Sequence, residues 1–156
     1  MLKEKIREDL KKALMEKREL EVSTLRMLNA AILNKEKEKR YQLKAEKDTE
    51  LLDEEIIEVI FSETKKRKEA ILEFEKGARP DLVSREQQEL EVLQKYLPEP
   101  LSEEEIQKLA KEAIEKTGAK EIKDIGKVMA ELIPKIKGRV EGSRASEVVK
   151  EFLGLP

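Results

Sequence analysis

The stretch that divides this chain is Leu97-Pro98-Glu99-Pro100-Leu101-Ser102-Glu103-Glu104-Glu105. Two prolines one residue apart cannot continue a helix, and they hold the backbone extended. Ser102 and Glu105 then have the spacing of a capping box, which begins a new helix. We therefore predict an N-terminal helical domain over residues 1–97 and a C-terminal helical domain over residues 98–156.

Apolar residues recur at helical spacing on both sides of the prolines. The N-terminal part predicts four helices, with Asp53 as the N-cap of the third, Gly77 at its end and Pro80 in the first turn of the fourth. The stretch 34–47 loses the apolar period and is predicted as an exposed helix end followed by a connection. Tyr41 and Leu43 are its main apolar residues.

The C-terminal part predicts three helices. The first begins at the capping box and is closed by Gly118, the second is stopped by Pro134, and the last begins at about Ser143. No strand-like alternation is visible in either part. The predicted fold class is all-α, with a four-helix N-terminal part and a three-helix C-terminal part.

Composition excludes several kinds of site. Charged residues make up 44% of the 156 residues, aromatic residues make up 3%, and Cys, His and Trp are absent. Serine–histidine and cysteine–histidine pairs cannot be built, and zinc and di-iron sites lack their usual ligands. We predict no catalytic residue, no metal and no cofactor. Because neither a signal peptide nor an apolar run of about 20 residues is present, we predict a cytoplasmic protein without a membrane partner.

The stretch 125–143 combines glycines with cations just before a predicted helix. Gly138 and Gly142 stand among four basic residues: Lys135, Lys137, Arg139 and Arg144. Glycine permits left-handed turns and close approach, and the free N–H groups at a helix start suit an anion. The spacing alone fits two alternatives, a solvated loop whose glycines only make the turn and a loop that contacts phosphates.

A second basic run occupies residues 64–68 of the predicted third helix. Four consecutive cations span most of the helix circumference, so Arg67 or Lys68 must lie on or beside the apolar face. We favour a side chain that packs its stem at the edge of the core and keeps its charge in water. The alternative is a cation in a groove between helices, joined by Arg26. Arg79 stands beside Gly77 at a predicted turn between helices.

Several segments resemble the GatB/YqeY family, in particular its free-standing YqeY-type members. In the C-terminal part these are residues 97–98, 126–129, 134–139 and 141–143, and in the N-terminal part residues 24–28, 65–70 and 77–82. The resemblance covers nearly the whole chain and implies an all-α fold in two parts. It also implies kinship with the tail domain of the GatB subunit of tRNA-dependent amidotransferase, a domain that contacts tRNA.

Carried over to this chain, the resemblance implies tRNA-binding positions at Lys127, Lys135, Lys137, Gly138, Arg139 and Gly142. Spacing adds Arg144, and Arg26, Arg67, Lys68 and Arg79 are candidate additional contacts. The expected partner is tRNA, met through its phosphate backbone and shape. Components of the amidotransferase or of aminoacyl-tRNA synthetases are further candidate partners.

The leading functional hypothesis is a non-catalytic tRNA-binding protein or an accessory factor of the amidotransferase that amidates Glu-tRNA(Gln) or Asp-tRNA(Asn). One alternative is a helical protein–protein adaptor. Another is a component of a carbon–nitrogen ligase with glutamine as amido-N-donor, a label that the family can carry. Such a component would act only with other subunits, because this chain has no acid–base or nucleophilic set of its own.

Overall fold

The computed structural model describes residues 1–46 and 49–154. Within these ranges the chain forms seven α-helices, one short 3-10 turn and no strand, which confirms the all-α prediction. The elements are α1 (Leu2–Met15), α2 (Glu19–Gln42), α3 (Asp53–Lys76), α4 (Pro80–Gln94), α5 (Glu103–Thr117), the 3-10 turn (Ile122–Asp124), α6 (Ile125–Ile136) and α7 (Gly142–Gly154). In the described part of the chain, no helix is both long and apolar enough to span a bilayer.

The chain forms two compact units, Met1–Leu97 and Pro98–Pro156, which we call the N-terminal and C-terminal units. In the N-terminal unit, α1 packs on α2 and α3 packs on α4. The core between these pairs consists of Ile6, Leu25, Leu28, Ile32, Leu51, Ile56, Ile60, Val92 and Leu93. Burial of such side chains contributes on the order of 1.5–3 kcal/mol each, so this core is the main source of stability in the unit.

The start of α3 differs by one residue from the prediction. Asp53 was predicted as the N-cap, but it is the first helical residue and Leu52 is the N-cap. The Glu55 carboxylate accepts the Leu52 N–H at 2.7 Å, so this backbone donor just before the helix has a hydrogen-bond partner. The Asp53 carboxylate instead accepts the Leu2 N–H at 3.2 Å, at the start of α1.

The stretch that loses apolar periodicity is helical as far as Gln42. Two ion pairs tie this end of α2 to its neighbours, one between Lys3 and Glu36 at 2.6 Å and one between Lys39 and Glu55 at 2.7 Å. Residues 47 and 48, where the predicted connection ends, lie outside the described residues.

The C-terminal unit begins with the predicted capping box. The Ser102 hydroxyl accepts the Glu105 N–H at 3.2 Å, and the Glu105 carboxylate accepts the Ser102 N–H at 2.8 Å. Gly118 ends α5 with φ 71°, a left-handed conformation that suits glycine. The core of this unit consists of Ile106, Ala110, Ala113, Val128, Leu132, Ile136, Ala145, Val148 and Val149.

The prediction that Pro134 stops its helix is wrong. Pro134 lies inside α6, which continues to Ile136. The apolar stripe explains this continuation, because Val128, Leu132 and Ile136 follow one another at four-residue spacing and all three are buried. The chain turns immediately afterwards at Gly138, whose φ is 72°.

Candidate functional site

The loop between α6 and α7 is bonded to the first residues of the C-terminal unit. The Arg139 carbonyl accepts the Leu101 N–H at 3.1 Å. The Arg139 guanidinium donates through Nε to the Glu99 carbonyl at 2.9 Å. Gly138, the left-handed residue that makes this turn, is itself buried. Arg139 therefore holds the extended chain between the two prolines against the loop.

Arg144 makes a second connection to the same region. Its Nε and Nη2 donate to the two oxygens of Glu103 at 3.0 and 2.8 Å, and its Nη1 donates to Glu147 at 3.0 Å. These hydrogen bonds raise the pKa of Arg144 and lower the pKa of Glu103. The fork of Arg144 thus joins the start of α7 to the start of α5.

The other predicted tail residues lie at the surface. Lys127 and Lys137 are exposed, and Lys135 is an exposed neighbour of Glu131, with Nζ 3.8 Å from Oε1. Gly142 is the first residue of α7, and open space surrounds the position that a Cβ would occupy there. Only Gly138, among the two predicted loop glycines, needs glycine for its backbone conformation. That these tail residues form a binding site stays a prediction.

The basic run of α3 places Arg67 in the interior and Lys68 at the surface. Only 7% of Arg67 is exposed, so the prediction of a charge kept in water is wrong for this residue. Its Nε lies 3.1 Å from Oε2 of Glu89, which is 5% exposed, and 3.9 Å from Oε2 of Glu86. Arg85 approaches the other oxygen of Glu89 at 3.3 Å.

The geometry of this cluster is incomplete. Arg67 Nε is within ion-pair distance of Glu89, yet it makes no directed hydrogen bond, and Glu86 Oε2 is buried without a donor. Nη2 of Arg67 also donates to the sulfur of Met27 at 3.7 Å. No residue from 68 to 88 is buried, so the cluster is the last interior contact of the α3–α4 hairpin before its tip.

Arg26 does not join the Arg67 cluster. It is exposed and lines a surface groove on α1 and α2 with Leu14, Val22 and Met27. Arg79 is also exposed, and it pairs with Asp81 in the first turn of α4. The four candidate additional contacts are therefore spread over separate places in the N-terminal unit rather than gathered at one site.

The sequence analysis does not predict two polar contacts of the N-terminal unit, one at Glu89 and one at Tyr96. Glu89 stands three residues before Val92 and four before Leu93 on the buried face of α4, so its place on an apolar stripe could have indicated a buried acid. The Tyr96 hydroxyl donates to the Asp9 carboxylate at 2.5 Å. Burial raises the pKa of Tyr96, and the hydrogen bond to Asp9 raises it further. No sequence signal connects these two residues.

No group of three or more acidic residues suited to a metal ion occurs within residues 1–46 and 49–154. Two features thus stand out. One is the loop of the C-terminal unit that Arg139 and Arg144 hold in place, and the other is the buried cluster of Arg67 and Glu89 in the N-terminal unit. Both are arrangements that shape the protein, and neither brings the predicted cations together around an open anion pocket.

Curated relatives of this chain occur in fungi. A protein of Pyrenophora tritici-repentis is 32% identical over 154 residues, which cover 96% of this chain and 80% of the relative. A Saccharomyces cerevisiae relative is 32% identical over 80% of this chain and 66% of its own length. A Lachancea thermotolerans relative is 39% identical over 59% of this chain, a match that spans 46% of the relative. All three are named "Altered inheritance of mitochondria protein 41, mitochondrial".

These names correct two predictions. They refer to the inheritance of mitochondria and not to tRNA or amidation, so the prediction of a tRNA-binding or amidotransferase-related function, with its ligase alternative, is wrong. The adaptor alternative finds no support in them. The relatives are named as mitochondrial proteins, so the prediction of a cytoplasmic protein is wrong as well.

The family prediction is confirmed. The Yqey-like protein family matches residues 3–153, which include both units and the motifs that carried the resemblance. The match extends from the first turn of α1 to the last turn of α7. The chain belongs to the Yqey-like protein family.

Proposed function

We propose that this chain takes part in the process to which the names of its relatives refer, the inheritance of mitochondria. The observation that carries the proposal is the similarity to the Pyrenophora tritici-repentis relative, which extends over 96% of this chain. A match of this extent includes both helical units rather than one shared segment.

The internal contacts of the two units set the shape on which a role shared with the relatives would depend. The loop at Gly138, the capping box at Ser102 and the buried pair of Arg67 and Glu89 are determinants of shape. At 32% identity, a relative that keeps this shape has freedom at the surface, so the proposal concerns a common role and not a common list of contact residues.

Complementation tests the proposal. The chain, fused to a mitochondrial leader, is expressed in Saccharomyces cerevisiae that lacks its own relative, and daughter cells with normal mitochondria are counted. We expect a return towards the level given by the yeast protein itself. A Leu28→Asp variant is the matched control, because Leu28 is 1% exposed and a carboxylate there prevents folding.

The complementation result can be interpreted only if the expressed chain is present in the mitochondria. The soluble level of the unaltered chain in purified mitochondria is therefore measured in the same cells. A folded chain at the level of the yeast protein that leaves the inheritance defect unchanged contradicts the proposal.

A further inference from the structure

Met27 lies against a buried cation. Its sulfur is 3.7 Å from Nη2 of Arg67, and Met27 remains 48% exposed. A thioether is a weak acceptor, whereas a guanidinium carries five N–H donors. Arg67 is 7% exposed, and its Nε makes no directed hydrogen bond. The guanidinium thus has more donor capacity than its present neighbours satisfy.

We propose that Met27 is an oxidation site at which a peroxide converts the thioether to a sulfoxide whose oxygen accepts a hydrogen bond from Arg67. The sulfur lone pair attacks one oxygen of hydrogen peroxide, the S–O bond forms and the O–O bond breaks. The departing hydroxide takes up the remaining proton and leaves as water. Sulfur loses two electrons and the peroxide gains them, so the step is balanced without another reactant.

The sulfoxide is a better partner for Arg67 than the thioether. Oxidation turns an apolar side chain into a polar one, which is unfavourable in an apolar contact. At Met27 the new oxygen replaces a weak acceptor beside a charged donor, and charge-assisted hydrogen bonds are about twice as strong as neutral ones. Access is already present, because nearly half of the side chain is exposed.

Met15 is the natural comparison within the same unit. It ends α1 and is 85% exposed, and within the described residues no side chain donates to its sulfur. Peroxide should reach Met15 at least as easily, but the sulfoxide there acquires no cation.

The test uses the full chain as the Met15→Leu variant, treated with hydrogen peroxide and mapped by mass spectrometry. NMR of the arginine side chains then measures how fast the Arg67 Nη protons exchange with water. We expect exchange to become several-fold slower once Met27 is oxidised. In a Met27→Leu variant, which cannot form the sulfoxide, the same treatment should leave the Arg67 exchange rate unchanged.

A thermal measurement gives a second readout. Arg67→Lys keeps a charge but loses the planar fork, so its sulfoxide state has fewer donors. Peroxide should lower the thermal midpoint of both the Met15→Leu chain and the Met15→Leu, Arg67→Lys chain. The fall should be larger in the chain with Arg67→Lys, by at least about 4 °C. If the lysine variant does not fold, the exchange measurement decides alone. Unchanged Arg67 exchange with Met27 fully oxidised, or a Met27 that stays reduced while Met15 in the unaltered chain is oxidised, overturns the proposal.

Discussion

Replacing Arg67 by Met tests whether the buried ion cluster stabilises the N-terminal unit. The variant keeps most of the side-chain volume and leaves the Glu89 carboxylate, 5% exposed, without the cation 3.1 Å away. Removal of one partner of a buried pair typically costs about 3–5 kcal/mol, because the remaining charge stays in the interior. Arg85 still approaches Glu89 at 3.3 Å, so we expect the lower end, about 3 kcal/mol.

The assay is urea unfolding followed by circular dichroism, with thermal unfolding alongside. For a unit of this size, about 3 kcal/mol corresponds to a fall of roughly 12 °C or more in the thermal midpoint. Hydrogen exchange should increase most at the tip of the α3–α4 hairpin, since residues 68–88 have no buried residue of their own. Lys66→Met is the matched control, because Lys66 pairs with Glu63 at the surface and should change stability by about 0.5 kcal/mol or less.

The double variant Arg67→Met, Glu89→Leu distinguishes two causes of instability. One is the loss of the attraction between Arg67 and Glu89, and the other is the cost of leaving the Glu89 carboxylate buried without its partner. Replacement of a whole buried pair by apolar residues is often neutral or stabilising, so most of the lost stability should return. Two results would refute the reasoning: a loss below about 1 kcal/mol in the single variant, or a double variant as unstable as the single one.

Two further predictions concern the C-terminal unit. Gly138→Ala should destabilise this unit by roughly 1–2 kcal/mol because φ is 72°. Gly126→Ala, at an exposed position of α6 with open space around it, should instead stabilise the unit by up to about 1 kcal/mol. Equal effects of the two substitutions in denaturant titrations would contradict this prediction. The backbone N–H groups of Lys120 and Glu121 donate to the Asp124 carboxylate and lower its pKa in the folded state. The contribution of Asp124 to the stability of the unit is therefore present above the unfolded-state pKa of about 3.9, and it is lost as the pH falls through the lower folded-state pKa. Asp124→Asn should therefore reduce the stability of the unit at pH 7 and flatten its loss on acidification, and an unaltered pH profile would count against the assignment.

Local signals were sufficient for the helices and for most of their boundaries. The hydroxyl of Ser102 and the carboxylate of Glu105 stand three residues apart, so their reciprocal hydrogen bonds follow from spacing alone. Pro134 shows where a local rule fails. Its ring removes one helical hydrogen bond near the end of α6, but burial of Ile136 offsets that loss and the helix continues.

The interior charge could be predicted only in part. Helical periodicity placed either Arg67 or Lys68 beside the apolar face, but the choice depends on the angle at which α4 meets α3. Glu89, the residue that settles the choice, lies 22 positions beyond Arg67, and its approach is a property of packing between two helices. Periodicity within one helix contains no information on that approach.

The tail motif shows why a pattern of glycines and cations is ambiguous about binding. An arginine whose fork is already bonded to a carboxylate can receive an external anion only by giving up those hydrogen bonds. For Arg144 this means displacing Glu103, which would release the start of α5, and for Arg139 it means releasing the Glu99 carbonyl. The two arginines are therefore better explained as ties that keep residues 99–103 against the loop. A pattern of glycines and cations can therefore serve a turn and the contacts that hold it, without serving a ligand.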